Sequence, residues 1–560
     1  MTWGDRVFAF HGPASEVNDP TVLDRYLLNS RINTIALDLE TVSLKDTTPI
    51  GIGIAIDPSR SFYFPLEPVS PSIPWGLLSD PKVKKVWYNA LFDLSVKSPI
   101  MQLVDHTNIA DVYIMSKYLD YPPSLDLMAR MYNLPVGNIQ ELLKKYRTKT
   151  MLGVPTEEVA LKCCLDTEAT FFIYEELKGL VHPESYNIDM QLIPMLAHMT
   201  GKGLRINNPL LRKFHGELKD EEDQLRGICE EEYFFNPGST KQVAVVLMKR
   251  GSWIPIRRSR KTQRMNASTR DEILNKLEDP LAGMVLRYRK VQKLRSTYLE
   301  KLLEEERVFT QLGIDAGTGR LTSGGSSRST PGHVMENLQN WPSKPPFDYI
   351  RNAIIPDYEV FTDFDCSQLE LRILAYMSGD RHMIYVFESG GDIHAHTAEV
   401  MKRPRKVSKN VNFAMIYGAT LETICETAET QDLDMGRKLI YEWSSNFPDA
   451  WQWIIQQQEE GVRNGEISTL YGRAIPLPTN ESEDGIRRKA VNYPIQGTAA
   501  EIMKRMMLVL KPRTWMDCRL QVHDEMILDG DYKQEVIDLK LDEIAPFPTP
   551  VSVKTISRWE

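Results

Sequence analysis

Short apolar runs open the readable part of the chain. Thr34-Ile-Ala-Leu-Asp-Leu-Glu-Thr41, Gly51-Ile-Gly-Ile-Ala-Ile56 and Ser61-Phe-Tyr-Phe-Pro-Leu66 have the length and the β-branched or aromatic content of strands. A helical pattern follows from Glu157 to about Lys178 and is broken by Gly179 and Pro183, which predicts a boundary there. From about 184 to 310 the pattern is helical, with long charged amphipathic stretches such as Pro280 to Glu306, and reads as an extended arm with a mobile tip. Residues 313–346 are rich in Gly, Ser, Thr and Pro. They also hold Thr318-Gly-Arg-Leu-Thr322 and Asn337-Leu-Gln-Asn340, polar groups specific enough to mark a functional loop region rather than a spacer. Strand-like Glu359–Phe364 and Arg519–Val522 flank a mostly helical insert from about 376 to 470.

Composition narrows the class without deciding it. The 560 residues predict roughly three to four domains. A hydrophobic content of 42% with 26% charged residues is ordinary for a globular protein. No run approaches the roughly 18 apolar residues of a membrane span, and the N-terminus lacks a secretion signal, so a cytoplasmic setting (a bacterial cell or a phage-infected host) is expected. Six cysteines show neither disulfide nor zinc spacing. The net charge of −9 argues against nucleic acid only if charge is spread evenly, and it is not. Acidic blocks at 219–223, 230–232 and 304–306 suit solvated helix faces, while Arg257-Arg-Ser-Arg-Lys261 with Arg264, and Lys402-Arg-Pro-Arg-Lys406, suit a polyanion.

The candidate chemistry begins with two acids. Asp365 ends one apolar strand-like run and Asp524 follows another. If those strands are neighbours, the carboxylates can share a pair of divalent ions of the kind that clamp an in-line displacement at phosphorus. Mg²⁺ suits them, being hard and content with a few carboxylates plus substrate phosphates. An aspartate at a strand end is otherwise a turn or a cap. Between the two acids lies Arg405-x3-Lys409-x3-Phe413-x3-Tyr417, a step of four that keeps all these side chains on one helix face, after Pro404 as starter and before Gly418 as terminator. Two cations would neutralise a triphosphate and two aromatics would stack a base or sugar. The competing reading is a solvated basic face over a core stripe.

These motifs together resemble family A DNA polymerases, the bacterial DNA polymerase I type. Asp365-Cys-Ser-Gln-Leu-Glu-Leu-Arg372 is similar to that family's motif A, Arg405 to Gly418 to motif B, and Gln521-Val-His-Asp-Glu525 to motif C. Thr318-Gly-Arg-Leu321, Asn337–Asn340, Asp392-Ile-His394, Thr469-Leu-Tyr-Gly-Arg473 and Asn492-x3-Gln496-Gly-Thr-Ala-Ala500 match intervening signatures in order. The resemblance implies a right hand over residues 184–560: thumb about 190–310, palm about 311–375 and 470–560, fingers about 376–470. It implies that Asp365 and Asp524 bind two Mg²⁺ ions, with Mn²⁺ a substitute. Arg405, Lys409 and His394 would grip the incoming triphosphate, with Lys409 also a proton donor to pyrophosphate. Phe413, Tyr417, Gln368 and Glu370 would surround the nucleotide, Glu370 acting as a steric gate against the ribose 2′-hydroxyl. Phe413, lacking a hydroxyl, implies poor use of dideoxynucleotides. Arg320, Arg473, Asn492, Gln496 and His523 would touch primer, template or minor groove. Cys366 departs from the family, which carries an aromatic there.

The first 183 residues carry a second constellation. Asp38-Leu-Glu40 puts two carboxylates on one face of a strand, a costly pairing unless a cation joins them. With Asn89-x3-Asp93 and Asp166, the order resembles the 3′–5′ exonuclease domain of the same family, a ribonuclease H-like fold. Asp38, Glu40, Asp93 and Asp166 would then bind two metals that activate water. Relatives carry a Tyr four residues before the last Asp; here Lys162 stands there, followed by Cys163-Cys164, which implies a modified or slower nuclease. The short stretch before this domain implies a compact, phage-type replicative layout without a separate 5′-nuclease domain.

The expectation is thus an α/β multidomain enzyme that extends primer–template DNA with dNTPs and proofreads it. It is expected to be a monomer working beside replisome proteins such as a helicase, primase and single-strand-binding protein. An exonuclease on a polymerase-like DNA-binding scaffold is the alternative, opposed by the intact Asp365, Lys409 and Asp524. A single-subunit RNA polymerase is disfavoured by Glu370 and the N-terminal acids.

Overall fold

The computed structural model describes residues 8–9, 32–43, 46–66, 73–96, 101–258, 265–314, 317–324, 334–418, 420–428, 430 and 432–560. The side chains of the basic run from Arg257 to Arg264, expected to meet a DNA backbone, lie outside the described part. The chain divides into two compact units, one formed by 1–203, 310–339 and 360–556, the other by 204–309, 340–359 and 557–560.

The first unit is built on two larger sheets, with two further two-stranded pairs at 311–324 and 466–476. Strands β1 (Phe8–Ala9), β2 (Thr34–Thr41), β3 (Pro49–Asp57), β4 (Arg60–Pro65), β5 (Lys84–Trp87) and β6 (Ile109–Asp111) form a mixed sheet in the order β1-β4-β3-β2-β5-β6. β2 pairs antiparallel with β3 and parallel with β5, so it runs centrally, and Ile35, Ala36 and Leu37 are buried. Helix α1 (Ala90–Ser95) follows β5. Helix α2 (Thr156–Leu177) crosses β2, β3 and β4 and is buried around most of its circumference. Helix α3 (Pro183–Lys202) starts on a proline and ends at Gly203. The strands at 34–41 and 51–56 and the helix from 157 stand where the apolar pattern predicts them, within two residues at each end.

The second sheet is antiparallel. Strands β7 (Phe361–Cys366), β8 (Cys518–Val522), β9 (Glu525–Asp529) and β10 (Val551–Ile556) lie in the order β8-β9-β7-β10. Around it are α4 (Leu369–Ser378), α5 (Ile393–Val400), α6 (Arg405–Ile416), α7 (Leu433–Asn446) and the long α8 (Glu483–Thr514). α8 packs on both α3 and α4, and so ties the two sheets into one body. A buried polar group marks that junction: Asp189 of α3, with no exposed surface, accepts from Lys504 Nζ of α8 at 2.5 Å and from the Tyr118 hydroxyl.

The other unit is mainly helical. Asn208–Glu231 packs against Pro280–Lys293, and the buried Glu222 between them is held by Arg295 at 2.6 Å and Arg226 at 3.0 Å. The amphipathic stretch predicted to run from Pro280 to Glu306 is regular α-helix only as far as Lys293, then widens into a π turn over Leu294–Leu299 and tightens into a 3₁₀ turn over Glu300–Leu302. No helix among the described residues is long and apolar enough to cross a membrane.

Candidate active sites

Asp365 is the penultimate residue of β7 and lies directly across from Glu525 of β9. β8 and β9 are joined by the two-residue turn His523-Asp524, with His523 in the left-handed region at φ 56°. The Cys366 N–H donates to the Asp524 carbonyl at 3.2 Å, which fixes the turn against the end of β7 and brings the two acids together. Burial pushes the Asp365 carboxyl up to about 6, with Asp363 adding to the rise and Lys554 opposing it. Part of its side chain nevertheless reaches solvent. Burial pushes Asp524 up to about 7, helped by the charges of Glu370 and Asp365 and opposed by Arg320. Two carboxyls raised by burial and by neighbouring acids form a site short of positive charge, and hard oxygen donors of this kind fit a divalent ion.

Helix α6 presents the expected row. Arg405, Lys409 and Tyr417 are exposed, and Phe413 is half-buried. Ser408, Val411, Asn412, Met415 and Ile416 are buried on the opposite face. Tyr417 caps the helix rather than lying inside it, and Gly418 (φ 59°) ends it where a Cβ would come within 3.0 Å of the Arg488 backbone. The Phe413 and Tyr417 rings lie 6.3 Å apart and nearly parallel. Arg405 is paired with Asp392 at 2.5 Å.

His394 of α5 is buried behind this row, and desolvation lowers its imidazole to about 4. Asn412 sets its tautomer. The Trp443 indole, which can only donate, gives its N–H to Asn412 Oδ1 at 2.8 Å. The Asn412 amide nitrogen therefore faces His394 Nδ1, 3.0 Å away, so Nδ1 accepts and Nε2 carries the proton.

Glu370 is buried rather than a surface acid. Its carboxylate takes Arg320 at 2.5 Å on one oxygen and the Tyr417 hydroxyl at 3.1 Å on the other. Gln368, the left-handed residue before α4 (φ 56°), has a buried Oε1 without a partner among the described residues. Asn492 and Gln496, one turn apart on α8, are half-buried, and His523 is exposed. Arg473 departs from the expectation of a DNA contact. It is 3% exposed, donates to the Thr318 carbonyl at 2.6 Å and lies over the Tyr118 ring. A guanidinium enclosed in this way braces the loop at Thr318 and offers no face to a ligand. Arg320, likewise expected at DNA, spends its charge on Glu370.

In the N-terminal region Asp38 and Glu40 share a face of β2, Asp93 projects from α1 and Asp166 from α2. Burial raises Asp38 to about 8 against the opposing charge of Lys162, and raises Asp93 well above the carboxylate range, with Asp38 adding to it. Donor atoms of Asp38, Glu40 and Cys163 lie within 4.8 Å of one another, close enough to share an ion. Asp166 accepts from the Gly137 N–H at 2.8 Å. Lys162 Nζ reaches Glu40 at 2.6 Å, Asp166 at 2.8 Å and Asp38 at 3.9 Å.

Three participants, Trp443, Lys554 and Gly137, were not singled out by sequence reasoning, and Asn412 only as a member of the motif at 405–418. Asn412 and Trp443 are 31 residues apart, and Lys554 meets Asp363 at 2.9 Å across a strand pair, so no local signal links them. Gly137, which holds Asp166, carries no motif. Cys366 fills the place of the family aromatic by packing its sulfur 3.5 and 3.6 Å from those of Met506 and Met503.

Residues 206–544 match the model of DNA polymerase family A, and residues 17–182 match that of a 3′–5′ exonuclease. A thermostable DNA polymerase I of Thermus filiformis is 32% identical over 72% of this chain and 51% of its own length. The DNA polymerase I of Chloroflexus aurantiacus is 30% identical over 92% of the chain and 59% of its own length. The chain thus spans between half and three-fifths of these relatives. Among solved structures, the POL domain of Pol1 from M. smegmatis in complex with DNA primer-template and dNTP superimposes with a TM-score of 0.74 at 21% identity, over 96% of this chain and 98% of that one, a likeness of fold.

Proposed function

The chain belongs to DNA polymerase family A, and from that premise we propose that it extends the 3′ end of a DNA primer along a template with dNTPs, while its exonuclease region trims the same end. The observation that carries the reading is the pairing of Asp365 and Asp524 through the Cys366–Asp524 backbone hydrogen bond, next to an α6 face bearing Arg405, Lys409, Phe413 and Tyr417. Primer–template DNA and dNTP as ligands also fit the solved structural neighbour, which holds both.

In this reading Asp365 and Asp524 would hold divalent ions, Mg²⁺ suiting their hard oxygens, and those ions would supply positive charge for phosphoryl transfer. Lys409 and Arg405 neutralise the triphosphate, and Lys409 hands a proton to departing pyrophosphate. His394, neutral at working pH and protonated on Nε2, donates a hydrogen bond without changing charge. Glu370, gripped by Arg320 and Tyr417, is too rigid to make way for a 2′-hydroxyl. Asn492, Gln496 and His523 meet the duplex.

A labelled primer–template run on a gel with Mg²⁺, with and without the four dNTPs, tests both activities. Growth with dNTPs is the expected result. Shortening without growth would overturn the polymerase reading and leave a nuclease on a polymerase-shaped scaffold.

A further inference from the structure

The exonuclease centre already contains a cation. Lys162 Nζ lies between Glu40 Oε1 and Asp166 Oδ2, at 2.6 and 2.8 Å, and its side chain is only 13% exposed. The surrounding chain is shaped to hold it there. A Cβ on Gly137 would fall 2.0 Å from Lys162 Cγ, so the lysine stem runs through space that only a glycine leaves open. The same Gly137 gives its N–H to the other Asp166 oxygen at 2.8 Å, so loop and lysine clasp one carboxylate from two sides.

Two-ion hydrolysis needs cations about 3.5–4 Å apart, and Mg²⁺ needs its oxygens at about 2.0–2.1 Å. Glu40 Oε1 and Asp166 Oδ2 cannot be bridged at that distance while the ammonium stands between them. The donors left for an ion are Asp38, Cys163 and the free face of Glu40.

We propose, on the exonuclease reading given above, that Lys162 is a resident competitor for divalent cations at this centre and restrains excision by keeping the position between Glu40 and Asp166 from a metal ion. The restraint is electrostatic, so it yields to raised metal concentration and to removal of the ammonium.

The test uses the full chain carrying Asp365→Asn and Asp524→Asn, so that ions at the polymerase centre are not counted. Mn²⁺ binding is measured by electron paramagnetic resonance, and excision of a labelled single strand is followed across a Mg²⁺ series. Lys162→Met should bind one further Mn²⁺, or bind its ions at least about tenfold more tightly, as removal of a like charge a few ångströms away requires. Half-saturating Mg²⁺ for excision should fall by a similar factor, and Lys162→Arg should behave as the parent. Gly137→Ala, which crowds the lysine stem and removes no carboxylate, should move in the same direction and serves if Lys162→Met does not fold. Unchanged Mn²⁺ binding in both Lys162→Met and Gly137→Ala would overturn the proposal, as would slower excision by Lys162→Met at every Mg²⁺ concentration. Gain of the ion with no excision by any variant would uphold the cation assignment and remove the exonuclease reading instead.

Discussion

Asp524→Asn should stabilise the protein while abolishing synthesis, and the gain should depend on pH in a defined direction. In the fold the Asp524 carboxyl titrates at about 7 instead of 3.8, chiefly through burial and then through Glu370. A carboxyl raised in the folded state binds more protons there than in the unfolded chain. Its contribution is therefore complete below 3.8 and is lost as pH rises through 7. At pH 8 without divalent ions the shift corresponds to about 4 kcal/mol at most, and partial solvation lowers the expected gain on removing the charge to about 2–3 kcal/mol. Asparagine keeps the size of the neutral acid without the charge. Urea unfolding in EDTA at pH 8 and pH 5 measures the effect: the variant should be the more stable at pH 8, and its advantage should shrink to less than half at pH 5. Adding Mg²⁺ should reverse the order, since the variant has lost a ligand for the ion that the wild type binds at this centre, while the N-terminal centre is the same in both. A variant that is less stable at pH 8, or a gain equal at both pH values, would refute the argument that this acid is held against its own electrostatics.

Asn412→Ala should strand the Trp443 indole N–H and free the imidazole tautomer. A loss of about 1–3 kcal/mol in stability and a raised KM for dNTP are expected, with melting and steady-state kinetics as readouts. Over pH 5–8 the wild-type KM should show no ionisation assignable to His394, because desolvation holds that ring neutral down to about 4; a His394-dependent inflection near 6.5 would contradict this. Glu370→Ala should raise ribonucleotide incorporation in a primer-extension assay, and unchanged discrimination would remove the steric-gate assignment. Asp189→Asn leaves the buried Lys504 ammonium without its counter-charge and should cost about 3–5 kcal/mol in urea unfolding. The double change with Lys504→Met should recover part of that loss.

The sequence was most legible where function depends on spacing along one element. The strand at 34–41 sets Asp38 and Glu40 on one face, and the step of four from Arg405 sets cations and rings on one helix, because those periods are properties of the backbone. It was least legible where function depends on which distant side chain fills a space. Arg320 and Arg473 look alike in a motif, yet one reaches Glu370 and the other is enclosed over Tyr118. The Lys162–Asp166 contact follows from i, i+4 spacing, but the ammonium also meets Glu40, 122 residues earlier, and only the strand–helix crossing reveals that it sits among the acids.

Acids are pushed up by burial at both candidate centres, but only the N-terminal one holds an ammonium among them, and on the function proposed above the difference bears on how one chain both builds and trims DNA. At the polymerase centre, Asp365 and Asp524 have no direct ion pair among the described residues and both are pushed up toward neutrality, Arg320 and Lys554 opposing the rise only from their pairs with Glu370 and Asp363. Such a site has most to gain from a divalent ion. At the N-terminal centre, Glu40 and Asp166 already share an ammonium, so an ion arriving there gains less by the amount the lysine has supplied. If metal occupancy limits both reactions, this asymmetry favours synthesis over excision at any given Mg²⁺ concentration. That balance is written into one side chain, Lys162, and into the glycine that makes room for it.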